Sequence, residues 1–312
     1  METHAADEDN GVLLYRFFDF FELIESAKLG RLRVASVATF EDSNDLLGSG
    51  LLEKFGPLAL PFPILDSDIE GLAFGNKPEH IFVSSWTKTR DSIAMWELYS
   101  PNLNSIQVAV SWKRIATAFS AYCDAHRPAP SREMPPRSPG LFLFALRDGP
   151  CEYLDFGSVF CRILESIRSS RDTVLTAIED KELFQTRLDK LRKEVEKIIG
   201  NDSHLMKDAA YSHEQEHRFS FIAFERNDKS VEEIEKSRLL PLIEPGLDAA
   251  PLASTGGQIF IDFDWSCVEQ VLLDPRLPDW KIDSQRKILG ELGLDATKSR
   301  AYDFRPDGWR HS

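Results

Sequence analysis

Several things are scarce in this chain, and each shortage removes a class of protein. It has four cysteines in 312 residues, Cys123, Cys151, Cys161 and Cys267. They are widely spaced and form no C-x-x-C pair, which argues against a disulfide-stapled scaffold or a zinc knuckle. Reduced thiols in a cytoplasmic protein are the expectation. No apolar run is long enough to cross a membrane, so no membrane partner is expected. The opening residues, Met1-Glu-Thr-His-Ala-Ala-Asp-Glu-Asp9, are acidic and lack the hydrophobic stretch of a secretory signal. Basic residues are outnumbered, 37 Lys and Arg against 51 Asp and Glu, for a net charge of −14. That charge disfavours broad electrostatic capture of nucleic acid, which needs clustered cations. There is no internal repeat and no regular alternation of strand and helix, so a doubly wound sheet is disfavoured.

The remainder is ordinary globular material, with 42% hydrophobic and 28% charged residues, enough for one large core or two modest ones. Val12–Phe17 has the pattern of a strand. Asp19–Leu29 has helical spacing, with Asp19 as its cap and Gly30 as its stop. Arg31–Ser36 alternates as a second strand, and Thr39–Asp45 is a polar turn. Residues 48–79, rich in Gly and Pro, make a long excursion with at most a short helix. His80–Trp86 and Ser105–Trp112 are expected strands; Ser92–Tyr99 and Arg114–Tyr122 are expected helices. Residues 126–139 form a basic surface loop. Leu141–Leu146 and Cys151–Leu154 can pair as a hairpin across Arg147–Pro150.

The longest periodic segment, 158–199, predicts one or two amphipathic helices bent near Ser169–Ser170 or Asp180. It has the character of an inserted accessory layer and offers a surface for a partner or a second copy. Ile259–Phe263 and Cys267–Leu273 are strand-like, Asp283–Gly293 is a capped helix, and Lys298–Phe304 a last short strand. The resulting expectation is an α+β fold: a flexible tail over 1–11, then one domain over 12–310 with a helical insertion at about 158–200.

One stretch concentrates the chemistry. Tyr211-Ser-His-Glu-Gln-Glu-His-Arg218 runs straight into Phe219–Phe224. His213, Glu214 and His217 match H-E-x-x-H, in which two histidines one helical turn apart hold zinc and the glutamate serves as base. Glu214 and Glu216 also match an E-x-E pair at the mouth of a strand. The first reading requires a continuing helix, with Glu232, Glu233 or Glu235 as a third ligand. The second requires a turn feeding a strand, and the alternation after His217 favours it, with no metal. A non-enzymatic interaction module, using the 158–200 helices, is a third reading.

Three elements in chain order, Arg16 at the end of a first strand, Ser84-Ser85 in a middle strand and Glu214-x-Glu216 before a late strand, resemble the Arg, Ser-x-Ser and Glu-x-Glu signature of ADP-ribosyltransferases. The middle element departs from it, since Ser84-Ser85-Trp86 stands where the usual form has Ser-Thr-Ser. The chain is also similar to a bacterial family of uncharacterised domains met near toxin and phage-defence genes. That similarity rests on Tyr15-Arg16, the turn Phe40–Asp45, Ser84-Ser85, Met95-Trp96-Glu97-Leu98-Tyr99, the set Tyr211, Glu214, Glu216 and Arg218, and the segment Val268–Pro275.

The resemblance implies an ADP-ribosyltransferase-like core, mixed or antiparallel, with NAD as substrate. Glu216 would stabilise the ribose cation, Glu214 would orient or deprotonate the acceptor, and Arg16 would grip the pyrophosphate beside Tyr15. Ser84 and Ser85 would bind ribose or brace Glu216, and Trp96 or Tyr99 (or Trp86) would stack on a ring of the dinucleotide. The acceptor would be a protein, a nucleic acid or water.

Overall fold

A computed structural model describes residues 11–40, 81–126, 141–177, 205–225 and 257–303, with scattered positions between 180 and 190. The expected tail, the 48–79 excursion, the basic loop at 127–139, Glu232, Glu233 and Glu235 lie outside the described residues.

The chain is α+β, built on one mixed, mostly antiparallel sheet with helices packed on it. Nine of the described strands form that sheet. β1 (Leu13–Asp19) turns directly into α1 (Phe20–Leu29), which leads to β2 (Arg31–Ser36). Asp19 caps α1 by accepting from the backbone N–H of Phe21 at 2.8 Å, and Gly30, at φ 63°, closes it in the left-handed conformation glycine adopts without cost. β3 (Ile81–Thr87) is followed by α2 (Ile93–Tyr99), β4 (Ser105–Ser111) and α3 (Trp112–His126).

β3 is the branch point. It pairs along its whole length with β8 (Glu216–Glu225). Its other edge is shared: β1 meets it at Tyr15–Thr87, and β2 meets it at Ala35–Val83 and Ser36–Phe82. Between those contacts β1 and β2 part, leaving a fork opposite Ser84, Ser85 and Trp86. β4 carries the sheet outward to β10 (Val268–Leu273) and β11 (Ala296–Lys298), and β9 (Gln258–Asp262) borders β2.

Paired residues in an antiparallel ladder point the same way and neighbours alternate, so the register sorts the side chains. Arg16, Phe18, Ser84, Trp86, His217 and Phe219 share one face; Tyr15, Phe17, Ser85, Thr87, Glu216 and Arg218 share the other. The first face is the main core. α3 lays Ile115, Phe119 and Cys123 on it at four-residue spacing, with Phe119 stacked on Phe219 at 5.0 Å. α5 (Asp279–Glu291) adds Ile282 and Leu289 to the same core. Each such side chain contributes about 1.5–3 kcal/mol by leaving water.

Two expectations need correction, and of the two expected bend positions the chain uses Asp180. The hairpin across Arg147–Pro150 does not form. β5 runs from Leu141 to Pro150 along β8, with a bulge between Phe144 and Arg147, because β8 offers a long partner edge that a local turn cannot match. β6 (Glu152–Leu154) instead pairs in parallel with β7 (Met206–Asp208). The helix after it, α4 (Phe156–Leu175), passes straight through Ser169–Ser170. The break comes at Asp180, whose carboxylate caps the next turn through the N–H groups of Glu182 and Leu183, both at 3.1 Å. In chain order α4 follows β6, and the partner of β6 is β7, which comes after the helical segment. Finally, the last strand is β11 at Ala296–Lys298, ahead of the expected position.

Candidate functional site

The Glu-Gln-Glu stretch is a turn that feeds a strand. Residues Ala209–Glu214 form a short 3-10 helix capped by Asp208, Gln215 adopts a left-handed backbone at φ 45°, and β8 starts at Glu216. A non-glycine residue in that conformation costs roughly 1–2 kcal/mol. It is held from both sides: the Gln215 N–H donates to Ser212 O at 3.3 Å, and the Lys88 N–H donates to Gln215 O at 3.1 Å. The reversal has a consequence. Glu214 was expected beside Glu216 by extended geometry; it sits in the helical turn, and the two carboxylates converge anyway.

What they converge on is Lys207 of β7. Its ammonium donates to Glu214 Oε2 at 2.5 Å and to Glu216 Oε2 at 2.8 Å, and lies 4.8 Å from the centre of the Tyr211 ring. Arg218, on the same face of β8 two residues on, grips Glu216 through Nε–Oε1 at 2.7 Å and Nη2–Oε2 at 3.2 Å. The Glu216 backbone is pinned as well. Its N–H donates to the Tyr153 hydroxyl at 2.6 Å, and its carbonyl accepts from Cys151 N–H at 2.8 Å. All four charged side chains are buried, Arg218 completely. Two anions and two cations leave the cluster neutral, the condition under which charges tolerate burial.

Burial would raise the Glu216 carboxyl, but Arg218 and then Lys207 outweigh it and hold the group down at about 2. Burial likewise pulls the Lys207 ammonium down, and Glu216 and Glu214 reverse this, leaving it above the ordinary lysine range. Glu216 is therefore a permanent anion at neutral pH. Its depressed titration means that its stabilising contribution is complete above the ordinary value of 4.5 and is lost as pH falls through about 2. The contribution is on the order of 3 kcal/mol. In acid unfolding followed by circular dichroism, the stability gap between wild type and Glu216→Gln should narrow across this window; a gap independent of pH would contradict the assignment.

Arg16 occupies the fork. Its Nη1 donates to Ser84 Oγ at 2.7 Å and to the carbonyl of Arg33 at 3.4 Å, so one guanidinium touches β1, β3 and β2. It also lies over the rings of Phe18 and Trp86, 4.7 and 5.9 Å from their centres. Burial lowers it to about 10, with Glu22 opposing and the Arg33 charge adding to the effect. The nearest acidic group of influence, Glu22, is already bound to Arg33 at 2.8 Å. Among the described residues no carboxylate forms an ion pair with Arg16. Ser84 Oγ accepts from Trp86 Nε1 at 3.0 Å as well, so Ser84 braces Arg16 and Trp86 and not Glu216.

The predicted residues thus fall into two groups on opposite faces of β3. No family model, curated protein or solved structure matches the chain. The site must be read from its own geometry. Arg16 and Ser84 form the fork group; Glu214, Glu216, Tyr15 and Ser85 belong to the other face. Tyr15 is buried and Ser85 stands opposite Arg218. Trp96 is buried completely, its Nε1 donates to Asp91 at 2.9 Å, and its ring meets Phe17 edge-on at 4.9 Å. It is a packing residue and not a free stacking platform. Tyr99, partly exposed, stacks on Phe17 at 5.5 Å.

The H-E-x-x-H match does not make a zinc site. His213 and His217 flank a left-handed residue and belong to a 3-10 helix and a strand, so they do not stand one α-helical turn apart. His213 is exposed, with Nδ1 by Ala210 O at 3.3 Å. His217 points to the core face, where Nε2 contacts Asp148 Oδ1 at 2.5 Å, and Glu214 is committed to Lys207. Among the described residues no three His, Cys, Asp or Glu side chains gather as a metal site. The four cysteines are free thiols, and no described helix is long and apolar enough to cross a membrane.

Lys207, Tyr153 and Asp148 were invisible as site residues in the sequence. Lys207 is one lysine among many, and the fold of β7, its 3-10 turn and β8 brings it to Glu216. Arg218 was detectable, since a residue two positions along a strand shares its face.

Proposed function

We propose that the chain is an ADP-ribosyltransferase-like enzyme that uses NAD. The observation that carries the reading is Arg16: a charged guanidinium held in the β1–β2 fork by Ser84 Oγ, with no ion-paired carboxylate among the described residues. Such a group suits a diphosphate, which takes bidentate charge-assisted bonds. The second support is Glu216, a fixed anion at the mouth of a strand paired with the serine-bearing β3. A dinucleotide served by both groups has to pass the open edge of β3 between Val83 and Thr87, where neither β1 nor β2 is paired to it.

In the reaction the bond between ribose C1′ and the nicotinamide nitrogen breaks, and its electron pair leaves with nicotinamide. The ribose becomes oxocarbenium-like, as in glycoside cleavage. Glu216 stabilises that cation. The acceptor bonds to C1′ and gives up its proton, for which Glu214 is the nearby carboxylate. A protein, a nucleic acid and water are all competent acceptors by this chemistry. The fold itself would then be of the ADP-ribosyltransferase type, with its sheet split at β3. A cytoplasmic setting and a toxin or phage-defence role follow from the same resemblance.

Incubation with labelled NAD should release nicotinamide and either transfer the label or leave free ADP-ribose. Arg16→Ala should raise KM for NAD by roughly 10–100-fold, the worth of a charged hydrogen bond or two. An unchanged KM in a folded variant removes Arg16 from the site.

A further inference from the structure

Two glutamate side chains share one buried lysine nitrogen, and that lysine stands on β7, whose only described strand partner is β6. Lys207 pairs with Tyr153 across β6–β7. β6 leads into α4, and β7 follows the helical segment. The two ends are tied together: Phe156 N–H, at the start of α4, donates to Asp208 Oδ2 at 3.3 Å. Met206, next to Lys207, offers its carbonyl to Arg218 Nη1 at 3.5 Å. The Glu214 and Glu216 carboxylates thus share a cation that stands outside the main sheet.

We infer that Lys207 is a positioning residue for the Glu214–Glu216 pair: its ammonium fixes both carboxylates at one point and places a cation between them. The inference rests on the proposed NAD chemistry only for its effect on turnover. The physical reason is direct. Two carboxylates that approach the same nitrogen at 2.5 and 2.8 Å are close neighbours. Like charges at such range disfavour ionisation of one another unless a cation lies between them. Arg218 grips Glu216, and Lys207 is the cation that donates to both carboxylates. Among the described residues, the cluster is also faced by the Tyr153 hydroxyl, whose titration burial pushes up to about 12, and by the Tyr211 ring. Neither carries a charge at neutral pH that could replace the ammonium.

The test uses the full chain with carboxyl-labelled glutamate. Titrations of Glu214 and Glu216 are followed by NMR in wild type, Lys207→Met and Lys207→Arg, and nicotinamide release from NAD is measured on the same samples. In Lys207→Met one of the two carboxylates should titrate at a pH about 1 higher, or more. In Lys207→Arg both should stay near the wild-type values. kcat should fall about tenfold or more in Lys207→Met with KM for NAD within about twofold, and Lys207→Arg should restore part of it. Carboxylates that titrate alike in wild type and Lys207→Met overturn the inference, whatever the turnover. Shifted carboxylates in a protein that leaves NAD intact keep the positioning role and remove the NAD reading. Should Lys207→Met not fold, Lys207→Gln, which keeps a hydrogen-bond donor without the charge, takes its place. If neither neutral variant folds, wild type decides. A Glu216 carboxylate ionised down to the low end of the glutamate range upholds the ammonium's role, and one titrating above the ordinary value of 4.5 overturns it.

Discussion

Replacing Arg218 by methionine is expected to destabilise the protein by about 3–5 kcal/mol, the range for breaking a buried ion pair from one side. Arg218 is fully buried in a cluster that is neutral only as a whole. Without it, Lys207 alone faces two carboxylates, and one negative charge is left over in a region with little access to water. Methionine fills much of the volume, so the loss is electrostatic more than steric. Urea unfolding should show a lower midpoint at unchanged slope, since the surface exposed on unfolding hardly changes. The double variant Glu216→Gln with Arg218→Met should recover part of the loss, because it removes the orphaned charge together with its partner. A single-variant cost under about 1 kcal/mol would mean that the cluster is open to water and that Glu216 is not the fixed anion described above.

Glu216→Gln is expected to lower kcat for nicotinamide release on the order of 10²–10³-fold, the usual effect of removing one preorganised electrostatic contact to a transition state. Glutamine keeps the shape and can still accept from Arg218 and Lys207, but it no longer offers a charge to a ribose cation. The same change leaves the two cations without one of their anions, so stability falls too. The two effects separate cleanly when rates are measured well below the melting temperature on protein shown by circular dichroism to be folded. KM for NAD should move little, since Arg16 lies on the opposite face of β3 and retains Ser84. A folded Glu216→Gln protein with a wild-type rate would leave Glu216 as a structural anion only. Arg16→Ala and Glu216→Gln should thus act on different constants, KM for the first and kcat for the second.

Much of the fold was legible because local physics dictates it. Asp19 and Gly30 bracket α1 by capping chemistry, the first half of β3 (Ile81, Phe82, Val83) is apolar because it is buried between neighbours, and Ile115, Phe119 and Cys123 mark the inner stripe of α3. The choice between helix and strand after His217 was also legible, from the alternation of Phe219, Phe221 and Ala223 with more polar neighbours. The failed hairpin at Arg147–Pro150 marks the limit of such reasoning. Its turn signal was genuine, but the edge of β8, 84 residues of sequence away in its farthest contact (Leu141 with Glu225), out-competed it.

What the sequence determined by itself was the inventory: an arginine on the first strand, a serine pair on the third, and two glutamates before a strand. These are properties of residue type and near-neighbour spacing, and they do not depend on how the strands are ordered. Tertiary structure alone decided which of them meet. Pairing register sets the face of every strand residue, and the registers of β1, β3 and β8 depend on partners remote in the chain. They send Arg16 and Ser84 to one face and Glu216 to the other. The fold of β7, its 3-10 turn and β8 brings Lys207 to both glutamates, seven and nine residues away, a contact that no regular helix or strand spacing encodes. The stretch with two histidines around Glu-Gln-Glu therefore owes its chemistry to a lysine and an arginine: one stands on β7 before the turn, and the other lies two residues along the strand.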